Sequence, residues 1–163
     1  MHSFTRALAA ATCLGLSLAA QAYDPKETIA DLDARLAKIG VPTVQGTEVV
    51  AGKAVPALYF GERKINNNFD VVDAVRKAHS ASATVFVKDG DEFVRVSTNV
   101  LTTEGKRGIG TQLARNAAYE AVSKGNQYCG VIDVLGTMLD SCYNPIRDGG
   151  GKVIGVSYIG HKK

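Results

Sequence analysis

Arg95 stands in Phe93-Val94-Arg95-Val96-Ser97-Thr98-Asn99, an otherwise apolar stretch that reads as a strand. A guanidinium placed there must either emerge at a surface or find an anion, and its planar fork of donors matches a carboxylate. Two readings follow: Arg95 grips the carboxylate of a ligand, or it is salt-bridged to an acid of its own fold. The other residues with covalent chemistry are Cys129 and Cys142, which flank Leu135-Gly136. If that dipeptide is a two-residue turn, residues whose numbers share one sum face each other, and Cys129 meets Cys142. Counting outward from the turn makes them a non-hydrogen-bonded pair, whose Cα separation of ~4.5 Å falls at the short end of the disulfide range. Leu135 fits awkwardly at positive φ, however. A three-residue loop with Gly136 in the left-handed position competes, and it would move the partners one residue apart. Two buried free thiols are the remaining alternative.

Other chemistries lack their residues. Two cysteines with only His79 and His161 elsewhere do not make a metal-ligand spacing, and Ser141 has no histidine near it in sequence for a nucleophilic triad. Asp133 and Asp140 share the face of the cysteines and read as solvated. Thr103 to Thr111 contains glycines and bases, but no Gly-Lys-Ser or Gly-Lys-Thr run opens a helix there, so it is not a phosphate loop. No Cys-x-x-Cys-His run attaches haem. No cofactor, metal or catalytic residue is therefore expected. Acids and bases are interspersed along a chain close to charge balance, with no basic stripe, which argues against nucleic acid as a partner.

The elements that must hold these residues are legible in outline. Residues 1–22 carry Arg6, an apolar run from Ala7 to Ala20 and the small-x-small site Ala20-Gln21-Ala22, so they read as a signal peptide, with the mature chain starting at Tyr23. Cys13 lies inside it and is lost on cleavage. Residues 23–163 then form a single domain. Asp24-Pro25 caps a long helix with Ile29, Leu32, Leu36 and Ile39 inward, ended by Gly40 and Pro42. Two extended stretches, Thr43 to Val50 and Ala54 to Phe60, and a second helix from about Asn68 to Ala78 join it in the layer that covers one face of the sheet. The sheet itself is the block Ala83 to Val100 folded at Asp89-Gly90, then, after a short helix near Ala117 to Ser123, the hairpin at Leu135-Gly136 and a last strand announced by Gly149 to Gly151. That makes an α+β fold on a five-stranded antiparallel sheet. On the hairpin, if the cysteines point outward, Tyr128, Gly130 and Ile132 share the opposite face with Leu139, Ser141 and Tyr143. The tyrosines there serve either a ligand or core packing with a hydroxyl at the rim.

The block from Ala83 to Gly160, together with Gly61, Asn68-Phe69 and Val72-Asp73, resembles the extracytoplasmic Cache sensor domains of bacterial chemotaxis receptors, specifically the single-Cache, Cache 3/Cache 2 fusion type. The resemblance implies a PAS-like sheet with the ligand between it and the loops and helices that cover it. It places Arg95 and Thr98 where carboxylate-binding members supply an arginine and, three residues later, a polar side chain. It agrees with strand parity on Tyr128, Ser141 and Tyr143. Thr98 stands where the citrate-binding pattern has histidine, and Ser141 and Tyr143 are not basic, so a smaller or less charged ligand than a tricarboxylate is implied. Thr103 to Thr111 resembles the family's connector. Family receptors continue into a transmembrane helix, whereas this chain stops at Gly160-His161-Lys162-Lys163. The expectation is a periplasmic, non-enzymatic domain that presents a small molecule to a separate membrane receptor or transporter. The alternative is a ligand-free interaction domain that forms a homodimer through its N-terminal helix.

Overall fold

The structure, a computed structural model, describes residues 23–162. The expected signal peptide, its cleavage site and Cys13 lie outside the described residues. Helix α1 (Pro25–Ile39) starts where the Asp24 carboxylate accepts from the Lys26 amide, and Ile29, Leu32 and Leu36 line its buried stripe. It stops at Gly40, whose backbone packs so closely on Gly61 that a side chain at Gly40 would collide with the Gly61 main chain and one at Gly61 with the Ile39 carbonyl.

Strands β1 (Pro42–Val50), β2 (Lys53–Phe60) and β3 (Arg63–Lys64) form a three-stranded antiparallel sheet of their own. The two extended stretches expected merely to join the helical layer thus pair with each other, because Ala51 and Gly52 both take positive φ and close a two-residue hairpin between Val50 and Lys53. Val55, Leu58 and Phe60 of β2 turn inward beside α2 (Asp70–His79), which buries Val72 and Val75.

The second sheet has five antiparallel strands in the order β5-β4-β8-β7-β6. They are β4 (Ser82–Asp89), β5 (Glu92–Thr98), β6 (Tyr128–Val134), β7 (Thr137–Arg147) and β8 (Val153–His161), with α3 (Ala117–Ser123) preceding β6. Asp89 pairs with Glu92, so the first loop is Gly90-Asp91, one place on from the expected dipeptide, with Gly90 taking the left-handed φ of +60°. In the β6–β7 hairpin the two-residue register holds: Val134 pairs with Thr137, and Leu135 and Gly136 sit at φ of +51° and +87°. The Asp133 carboxylate accepts from the Gly136 amide at 3.0 Å and helps hold Leu135 in that conformation. Cys129 and Cys142 are direct partners joined by a disulfide, with Cα atoms 4.2 Å apart.

Each face of the large sheet has its own core. Ala83, Val85, Val87, Val94, Val96, Cys142 and Ile159 pack under α1, α2 and β2. Phe86, Phe93, Tyr143, Val156 and Tyr158 pack under α3 and the connector between β5 and α3, through Val100, Leu113, Ala118 and Val122. Cys142 therefore points into the α1 core, while Cys129 at the edge of the sheet is exposed.

Asp33 ties α1 to the sheet: Ser157 Oγ donates to one carboxylate oxygen at 2.5 Å and Asn144 Nδ2 to the other at 2.6 Å. Burial outweighs both bonds and raises the Asp33 pKa above its ordinary value of 3.8. The folded state then holds this proton longer than the unfolded chain, so the group's contribution is full below the unfolded value and declines as pH rises through the folded one. Asp33→Ser is expected to remove that decline. Urea denaturation of both proteins at acid and neutral pH checks it, and a stability difference that does not change with pH would refute the assignment.

Candidate ligand site

Register arranges the side chains of the face under α3 in rows. One row crosses all five strands as Tyr128, Tyr143, Tyr158, Thr84 and Thr98. On one side of it runs the small-residue row Gly130, Ser141, Gly160 and Ser82. On the other side Val156, Phe86 and Arg95 are neighbours. Arg95 and Thr98 are three residues apart, which in a regular strand would send them to opposite faces. The register shifts between Val85, opposite Ser97, and Phe86, opposite Arg95, so Val96 is an extra residue on β5 and both side chains return to one face.

Arg95 is 3% exposed. Its guanidinium lies over the Phe86 ring, 4.8 Å from the centroid, and Nη1 donates to Thr111 Oγ1 at 2.8 Å. Its Nε is buried without a partner, and among the described residues no acid pairs with it. Burial pushes its pKa down, against the opposing influence of Tyr143 and Tyr158. Tyr143 is 0% exposed, and its hydroxyl likewise has no partner. Burial pushes that phenol up, with Tyr158 adding to the effect. The Tyr143 and Tyr158 rings are 4.8 Å apart, and Tyr128 lies 6.4 Å from Tyr143.

The other two candidates are bonded internally. Thr98 Oγ1 lies 2.6 Å from Thr84 Oγ1 and accepts from the Val100 amide at 3.0 Å. Ser141 Oγ donates to the Leu139 carbonyl at 3.1 Å. Sequence reasoning missed the clamp that holds the connector over this face. Its backbone runs along β5, with Arg95 N donating to Thr111 O and Gly110 N to Arg95 O, both at 2.8 Å. Arg107 fixes its other end by a two-pronged pair with Asp73 of α2, both distances 2.8 Å, and by donating to the Thr98 carbonyl at 2.9 Å. Asp73 and Arg107 lie in two segments that carry the family resemblance, which is the signal that could have joined them.

A cavity of about 450 Å³ opens at the Ser82 and Gly160 end of the face, and none of the five candidate residues lines it. Tyr158 stands beside it, its hydroxyl 3.3 Å from Ser82 Oγ. A methyl group at Gly160 would overlap that hydroxyl, and the Tyr158 ring is wholly buried. Gly160→Ala is therefore expected to cost about 1–3 kcal/mol by overpacking. An unchanged urea midpoint would show that the ring yields freely.

A five-stranded antiparallel sheet packed on both faces, with a buried cation and an unpartnered hydroxyl on one of them, makes this an α+β domain. The chain belongs to the Cache 3/Cache 2 fusion domain family, whose model matches residues 26–163. Among solved structures it is similar to the sensor domain of E. coli DcuS, at 21% identity and a TM-score of 0.42, over 56% of this chain and 63% of that one. No curated protein is significantly similar to it in sequence. Among the described residues no helix is long and apolar enough to cross a membrane.

Proposed function

We propose that this Cache domain binds a small organic acid outside the cytoplasm, with Arg95 gripping the carboxylate and Tyr143 and Tyr128 shaping the site, and that it catalyses nothing. One observation carries the reading: on one face, a buried guanidinium without an acid partner and a buried phenol without a hydrogen-bond partner. Leaving such groups unpaired costs about 1–3 kcal/mol each, and a bound carboxylate would relieve the Arg95 deficit. The neighbouring side chains in the rows are hydroxyls and rings, so a ligand with one anionic group fits better than a tricarboxylate. A thermal-shift screen against organic acids, amino acids and purines tests this. A native-state ligand at a hundred times its dissociation constant adds about 2.7 kcal/mol of stability. Failure of every carboxylate to raise the melting temperature would sink the proposal.

A second reading has its own observation. Thr98 and Ser141 are hydrogen-bonded within the fold, and the tyrosine rings pack on one another. On that reading Arg95 is a clip that fastens the connector through Thr111, and the domain serves as an interaction module without a ligand.

A further inference from the structure

We propose a second anion site, separate from Arg95, in the cavity between the Ser82 and Gly160 end of the large sheet and the start of the connector at Asn99 to Thr102. Its volume of about 450 Å³ lies within the ordinary range for small-molecule sites. Two cations line it, Arg76 from the last turn of α2 and Lys162 just after β8, and no aspartate or glutamate does. Neither cation is ion-paired among the described residues. Arg76 reaches the Asn99 carbonyl only at 3.5 Å, a marginal bond that leaves the rest of its donor fork unused. Its service to the α2 dipole does not account for it, because Lys77 and His79 occupy the same turn.

The remaining lining sets the class of ligand. Hydroxyls of Thr102 and Thr137 supply neutral hydrogen bonds, and Val134 and Leu139 supply an apolar wall, while the Ser82 hydroxyl is already donated to the Gly160 carbonyl at 2.8 Å. Cations, hydroxyls and an aliphatic wall in one cavity suit a small organic anion with a short apolar body. Such a ligand could not touch Arg95 from here. The row of Tyr143 and Tyr158 lies between the Arg95 row and the Ser82–Gly160 row, with both rings wholly buried.

The probe is butyrate, with butyramide as its uncharged counterpart, in an amide NMR titration of the full domain. Butyrate is expected to shift the Ser82, Thr102, Thr137 and Gly160 amides, and butyramide is not. Arg76→Gln combined with Lys162→Gln should weaken butyrate about tenfold or more, the loss of charge-assisted bonds. Both side chains are exposed, so the fold is not at stake. Arg95→Gln should leave these shifts as in the parent protein, which separates this site from the one proposed at Arg95. Absent shifts, shifts that persist in the double variant, equal response to butyramide, or loss of the shifts in Arg95→Gln would each overturn the inference.

Discussion

Arg95→Met is expected to weaken carboxylate binding about ten- to a hundredfold while leaving the unliganded domain at least as stable as the parent protein. The binding loss follows from removing charge-assisted hydrogen bonds, worth about 1.5–3 kcal/mol. The stability half follows from what the guanidinium gains in the empty protein. It gives up its hydration at a cost of several kcal/mol. In return it has one good bond, to Thr111 Oγ1 at 2.8 Å, and the face of Phe86 at 4.8 Å, while Nε goes unsatisfied. A methionine, reaching about as far as Arg95 Nε, keeps an apolar stem on the Phe86 side and buries no charge. Substitutions that replace a buried ionic group by a well-packed apolar one are commonly neutral or stabilising. Calorimetric titration with whichever acid the screen finds, and urea denaturation without it, read the two halves separately. Unchanged affinity would mean that the anchor lies elsewhere. A clear loss of stability without ligand would identify Arg95 as the clip for the connector, and the interaction-module reading would then stand in place of the binding one.

What the sequence revealed of this face follows from how local each contact is. The β6–β7 hairpin is numbered outward from its own turn, so the pairing of Cys129 with Cys142 and the shared face of Tyr128, Ser141 and Tyr143 could be counted off without knowledge of anything beyond Val134 and Thr137. Helix α1 was equally legible, because cap, proline and apolar stripe all lie within its own residues. The bulge at Val96 was not, since an extra residue on β5 is defined only by its partner β4. Position alone would have put Thr98 on the wrong face from Arg95, and it was the family pattern that kept them together. The small sheet was missed because Ala51-Gly52 is a weaker hairpin signal than Asn-Gly, although Ala51 accepts a φ of +48°. The Arg107 pair with Asp73 spans two elements, and neither residue announces the other. Internal satisfaction of Thr98 and Ser141 is likewise a tertiary fact: the polar residue type was visible, but the Thr84 hydroxyl and Leu139 carbonyl that occupy them were not.

The disulfide gives the other large effect, and its two ends are expected to differ. Either Cys129→Ser or Cys142→Ser opens the bridge and should cost about 2–4 kcal/mol, because a loop of this size no longer restricts the unfolded chain. Burial then separates the variants. Cys129 is exposed on the edge strand β6, so a serine there meets water. The thiol left at Cys142 stays in the α1 core, where free cysteine behaves as a small apolar side chain. Cys142→Ser instead places a hydroxyl beside Ile159 in the apolar core under α1, which adds about 1–3 kcal/mol unless it finds an acceptor. Urea denaturation of both variants measures the shared and the separate parts, and thiol labelling of the oxidised parent should find neither cysteine free. Two labelled thiols would remove the bridge altogether. Equal losses in the two variants would show that the α1 core does not distinguish a buried thiol from a buried hydroxyl at this position, and that the whole effect lies in the unfolded chain.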